Sequence, residues 1–126
     1  MRIDNDCVRD LLFIIEENST FEKSCYMVGS KRHFPILGKY DYSKIHYHLR
    51  YLKMKGLIFN PEPLSPDSYD LSPDGHEFLS NIRDNNNWNK IKGISSNIGF
   101  ASLKVVSAIA EGVATAAINQ QLGFSK

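Results

Sequence analysis

Lys31, Arg32, Ser43, Lys44, Tyr47, Arg50 and Tyr51 are the residues whose types and spacing could do chemistry, and that chemistry is the binding of nucleic acid. Arg50 could make a paired contact to a guanine edge in the major groove, while Ser43, Tyr47 and Lys44 reach bases or phosphates. Lys31 and Arg32, with His33, could supply phosphate contacts from the preceding loop, which position a protein without reading sequence. Other chemistries fare worse. His46 and His48 stand two apart and point to different sides of a helix, whereas chelation along a helix needs a spacing of three or four. No C-x-x-C or H-x-x-x-H occurs. His76-Glu77 near Asp74 has the residue types of an acid–base pair, but a helix start rich in polar residues accounts for it. There is no phosphate-cradling glycine loop and no nucleophile elbow. The chain therefore reads as a non-enzyme with no catalytic residue, no metal site and no cofactor.

The element that must position these residues is a helix from Tyr42 to about Lys55, with Asp41 as its N-cap and Gly56 as its left-handed stop. Ile45, Leu49 and Leu52 form its apolar seam, and Tyr42 and His48 flank that seam. Ser43, Tyr47, Arg50 and Met54 fall on the far side; Lys44, His46, Tyr51, Lys53 and Lys55 lie at the margins. A strand, Leu57–Asn60, follows at once. The loop Pro-Glu-Pro-Leu-Ser-Pro-Asp then leads to a return strand, Ser68–Leu71. That pair has the form of a wing, but its loop carries Glu62 and Asp67 and no Lys or Arg, so it would repel phosphate.

Around this centre the pattern predicts further helices. Asp4 or Asn5 caps a first helix to about Asn18, with Val8, Leu11, Leu12 and Ile15 on one face and Arg9, Asp10, Glu16 and Glu17 elsewhere. Residues 19–40 lack a clean period. Gly29 to Arg32 reads as a turn, and Phe34 to Leu37 as a short extended piece broken by Gly38. Ser72-Pro73-Asp74 opens a helix with core residues Phe78, Leu79 and Ile82. Asn85–Asn87 interrupts it, and Trp88 with Ile91 packs back as a further turn or short helix. From Phe100 to about Gln121 the chain is alanine-rich. There Leu103, Val106, Ala110, Val113 and Ala117 follow the three-four spacing of a coiled-coil seam, beside a stripe of small residues, Ala108, Gly112 and Ala116.

The net charge of +1 conceals an uneven distribution. Lys31 to Lys55 holds seven basic residues and one acid, Asp41, enough for a local basic patch on a nearly neutral protein. Cys7 and Cys25 are most simply free thiols of a cytoplasmic protein. The polar start Met-Arg-Ile-Asp-Asn-Asp has no apolar stretch of the kind a secretory signal needs. Lys104, Ser102, Ser107, Glu111 and Thr115 make the alanine-rich helix too polar for a membrane span.

Two segments, Tyr-His-Leu-Arg-Tyr-Leu-Lys-Met-Lys-Gly-Leu-Ile (residues 47–58) and Leu-Ser-Pro-Asp-Gly-His-Glu-Phe-Leu through Ile82-Arg83-Asp84 to Trp88 and Lys90, resemble a widespread domain-of-unknown-function family of bacteria and their prophages. That family is marked by H-L-x-x-L-x-x-x-G-L-I and G-H-E-F-L-x-x-I-R-D-x-x-x-W, and the resemblance covers roughly residues 2–93. It implies a winged-helix-like fold and a mobile-element origin, carries no activity, and suggests that His76, Arg83 and Trp88 form a shared structural corner. The alanine-rich tail and the asparagine run depart from the pattern.

The expectation is thus a mainly α protein with a small β-wing: a winged helix-turn-helix over residues 1–93 and a C-terminal helix over 94–126 for oligomerisation or docking. Its expected partner is double-stranded DNA, as a small phage- or prophage-encoded regulator, dimeric through Leu103, Val106, Ala110, Val113 and Ala117. The rival is a protein-interaction module that binds and inhibits a host defence protein without touching DNA.

Overall fold

The computed structural model describes residues 1–27, 34–98 and 102–123. It is mainly helical with a small three-stranded antiparallel sheet. The chain divides into two compact units, Met1–Glu77 and Phe78–Lys126.

In the first unit, α1 spans Asn5–Glu17 and begins where a carboxylate can satisfy its open amides. The Asp4 side chain accepts from the backbone N–H of Asp6 at 3.0 Å and Cys7 at 3.3 Å. One face of α1 buries Cys7, Val8, Leu11, Leu12, Ile14 and Ile15, and the helix packs on the helix Tyr42–Met54 (α2) and on the sheet. Each such aliphatic side chain, fully removed from water, contributes about 1.5–3 kcal/mol. Cys7 and Cys25 are free and buried, and burial pushes their thiols up to about 12 and about 11, so both behave as small apolar groups.

After α1 the chain forms β1, Cys25–Tyr26. The predicted turn at Gly29 to Arg32 lies outside the described residues. The expected extended piece at Phe34–Leu37 is a 3-10 helix, Pro35–Lys39. Phe34, at φ −137° and ψ 85°, avoids the helical region as a residue before proline prefers to, but Pro35 then serves as a helix opener. Gly38 lies inside this short helix and does not break it.

Helix α2 runs Tyr42–Met54, capped by Asp41 accepting from the Lys44 amide at 2.7 Å, and Gly56 has φ +76°. Ile45, Leu49 and Leu52 are buried, as their spacing predicts. Strand β2 (Ile58–Phe59) pairs antiparallel with β3 (Ser68–Leu71), Ile58 opposite Leu71. The other edge of β3 pairs with β1, Cys25 opposite Tyr69, giving the order β1-β3-β2. The segment around Cys25 therefore finds its partner in a distant strand, not in a local hairpin.

Helix α3, Pro73–Ile82, opens on Ser72, whose hydroxyl accepts from the Gly75 amide at 3.0 Å and donates to the Gly56 carbonyl. The Ser72 amide donates to the Leu57 carbonyl at 3.0 Å. Leu57 and the start of α3 thereby lie against each other.

The second unit contains α4, Asn85–Ile98, packed on α5, Leu103–Gln121. The asparagine run does not break a helix; it is the first turn of α4, because Asp84 accepts from the Asn87 amide at 2.9 Å and supplies the cap. Trp88, Ile91 and Ser95 are buried. Of the residues assigned to a shared corner, Trp88 is buried whereas His76 and Arg83 are exposed. Among the described residues no helix is long and apolar enough to cross a membrane.

Candidate nucleic-acid interface

Positioning of α2 begins at Asp4. Besides capping α1, its carboxylate holds the Lys44 ammonium at 2.7 Å, and its own amide donates to His48 Nε2 at 2.8 Å. His48 is fully buried and its Nδ1 lies 2.7 Å from the Lys44 carbonyl. Since Nε2 accepts, the proton sits on Nδ1 and is donated to that carbonyl: the imidazole is a neutral pin between two helices.

Burial alone would raise the Asp4 carboxyl, but the Lys44 ammonium and the amides of Cys7 and Asp6 outweigh it and hold the group below its ordinary 3.8. A carboxyl lowered on folding stabilises at pH values above its unfolded pKa, and the gain disappears as pH falls through the lowered folded value. Acid unfolding followed by helix content should therefore show Asp4→Asn less stable than wild type at neutral pH, by up to about 1 kcal/mol, and converging on it as pH falls below the ordinary 3.8. A deficit that persisted unchanged at low pH would exclude the ionic contribution.

A second anchor is Asp10, which lies off the predicted apolar face and is nonetheless buried. It accepts from the Tyr40 hydroxyl at 2.7 Å and pairs with Lys39 at 3.0 Å. Burial first, and the carboxylate beside it second, push the Tyr40 phenol well above its ordinary value, so it remains a donor. This fastens the 3-10 helix that leads into α2 onto α1.

On the outer face of α2, Ser43 and Arg50 are exposed and Tyr47 and Tyr51 half-buried. Met54 is 80% exposed, as the helical wheel requires. The Arg50 guanidinium lies 5.2 Å from the centroid of the Tyr47 ring, and the Lys55 ammonium 6.0 Å from that of Tyr51. Tyr42 and His46 bring their rings to 4.2 Å. The structure thus gathers Ser43, Tyr47, Arg50 and Tyr51 on one surface. Lys44 is drawn off to Asp4, and Lys31 and Arg32 lie outside the described residues. Lys53 and Lys55, which the wheel leaves at the margins, are exposed. The open cations therefore concentrate in the C-terminal half of α2, not in the N-terminal half expected to enter a groove.

The loop between β2 and β3, the expected wing, is held by side-chain hydrogen bonds. Asn60 accepts from the Glu62 amide at 3.0 Å and from the buried Ser68 hydroxyl at 2.7 Å, while its own amide donates to the Ser65 carbonyl at 3.2 Å. Glu62 accepts a short hydrogen bond from the Tyr26 hydroxyl on β1. That bond, with a second from Ser24, holds the Glu62 carboxyl below its ordinary 4.5, so the negative charge is fixed in place. Leu64 is 98% exposed.

In α5, Leu103, Val106 and Ala110 are buried within the single chain, whereas Val113 is half-buried and Ala117 exposed. The first half of the predicted oligomerisation seam is therefore consumed by the chain's own fold, because α4 forms a full helix beside α5. The stripe Ala108, Gly112 and Ala116 is exposed.

Comparison with known proteins places residues 2–101 in the family described as hypothetical protein (DUF2513). No curated protein and no solved structure matches the chain.

Proposed function

The chain belongs to the DUF2513 family, and from that premise we propose that it is a small winged-helix protein that binds double-stranded DNA through α2, as a regulator of phage or prophage type. One observation carries the reading. The order α1, β1, 3-10 helix, α2, β2, loop, β3, with strands arranged β1-β3-β2, supports a winged helix-turn-helix reading in which the Pro35–Lys39 turn stands in for the middle helix. In such a fold α2 is the reading helix, and its outer face here carries Arg50, Lys53 and Lys55 with Tyr47 and Tyr51 between them. The regulator and phage elements rest on the motif resemblance alone.

Titrating mixed duplex DNA at rising salt tests the proposal. With three open cations on α2, log affinity should fall against log salt with a slope of about −3. Arg50→Ala should weaken binding to a preferred site by ~1–3 kcal/mol. Absence of duplex binding at low salt would overturn the reading. A second reading, an interaction module that binds and inhibits a host protein, is favoured by the wing. Glu62 is held ionised by Tyr26 and Ser24 beside the fully exposed Leu64, a surface that repels phosphate and suits a basic, apolar protein face. Loss of DNA binding with retained folding would point there.

A further inference from the structure

We propose that Tyr47 is the positioning residue for Arg50: its ring fixes the guanidinium so that Arg50 can read a guanine edge, and Tyr47 itself need not touch a base. The inference rests on the DNA reading above and deepens it. The Arg50 guanidinium stands over the Tyr47 ring at 5.2 Å, one helical turn away on the same exposed stripe. The ring does not stand alone. It meets the buried His48 imidazole edge-on at 6.0 Å, and both ring nitrogens of His48 are engaged, one by the Asp4 amide and the other with the Lys44 carbonyl. The platform is thus seated on a buried side chain that cannot rotate without losing two hydrogen bonds.

No carboxylate among the described residues pairs with Arg50, and the residue is exposed. A long side chain usually loses rotamer freedom on docking, and stacking on a ring removes part of that cost before the encounter. Guanine O6 and N7 are the base atoms that match a guanidinium fork held in this way. Lys44, one turn before His48, is paired with Asp4, and Lys53 and Lys55 are point charges, so Arg50 is the cation on this face whose fork can match a base edge.

The test starts from a duplex selected by the wild-type protein out of a randomised pool. Affinity for that duplex and for its single-base-pair variants is then measured across salt for Tyr47→Ala, Tyr47→Leu and Tyr47→Phe. Tyr47→Phe keeps the ring and should stay within about twofold of wild type in affinity and discrimination. Tyr47→Ala and Tyr47→Leu should lose roughly tenfold in discrimination, at the one base pair that Arg50→Ala also affects, with the salt slope unchanged. Tyr47→Leu keeps the buried flank filled and gives the same readout should the alanine variant fail to fold. If the wild type selects no duplex, the DNA reading falls and this inference with it. If a duplex is selected but the ring-less variants discriminate like wild type, the inference alone is overturned. Equal losses in Tyr47→Phe and Tyr47→Ala would also overturn it, since the hydroxyl would then be the contact.

Discussion

Gly75→Ala is expected to destabilise the protein by on the order of 3 kcal/mol or more, at or beyond the upper end of overpacking costs. A Cβ at this position would lie 2.0 Å from the Leu57 carbonyl oxygen and 3.0 Å from the carbonyl carbon. Both neighbours are backbone, and neither is free to retreat. The Leu57 carbonyl accepts the Ser72 amide, and the Gly75 amide donates to the Ser72 hydroxyl that also binds Gly56. Relief would require the first turn of α3 to lift from the β2 entry, breaking a helix cap and a strand end together. Against a typical total stability of about 5–15 kcal/mol, the loss should lower the melting temperature by roughly 10 °C or abolish folding. Gly93 and Gly112 provide the control, since they sit in helices with nothing within 4 Å of an added Cβ. Alanine there should raise stability by about 0.5–1 kcal/mol. Gly56, at φ +76°, should fall between, losing about 1–2 kcal/mol on the same substitution. Thermal melts of the four variants check the order; a Gly75→Ala melt near wild type would contradict the close approach.

His48→Ala is expected to cost about 3 kcal/mol and to loosen α1 from α2. The side chain is fully buried, so truncation opens a cavity as well as removing two hydrogen bonds. The greater part falls on the Asp4 amide, which loses its acceptor in a part-buried place, at about 1–3 kcal/mol. The Lys44 carbonyl suffers less, because it lies inside a helix. His48→Phe separates the contributions. It refills most of the volume without supplying an acceptor, so it should recover the packing share and leave the hydrogen-bond share lost. Denaturant melts measure the total, and amide exchange at the first turn of α1 locates it. Protection of that turn unchanged in His48→Ala would refute the pin.

Much of this architecture was legible locally. Asp4, Asp41 and Ser72 as caps, Gly56 as a left-handed stop and the buried faces of α1 and α2 all follow from groups within one or two turns of each other. What escaped reading is long-range. Nothing near Cys25 says that its strand partner is Tyr69, and nothing near Asp10 says that Tyr40 and Lys39 will bury it. The same holds for the interface. The wheel put Ser43, Tyr47 and Arg50 on the far side of α2, where Ser43 and Arg50 are exposed and Tyr47 half-buried, but it could not see that Lys44 would be claimed by Asp4. At Pro35 two local rules competed. The extended preference of the preceding residue favours a short extended piece, whereas Pro35 opens a 3-10 helix.

Two short segments that carried the sequence resemblance also acquire a physical meaning. Gly-Leu-Ile at 56–58 and Leu-Ser-Pro-Asp-Gly at 71–75 are the two sides of one contact, in which a carbonyl sits where any side chain larger than hydrogen would go. They describe how α3 leaves the sheet, and they are silent on what α2 binds.

The placement of β3 between its neighbours has a kinetic consequence. Its partner β2 lies just across the wing, so that pairing closes a short loop and can form early. Its other partner, β1, is separated from it by the 3-10 helix, α2 and the wing, and so belongs to a late event. Until it arrives, β3 has one open edge, and the Tyr26 hydroxyl has not yet reached Glu62. A nascent chain in that interval carries an acidic loop that is not yet tethered beside a strand ready to pair with a neighbour.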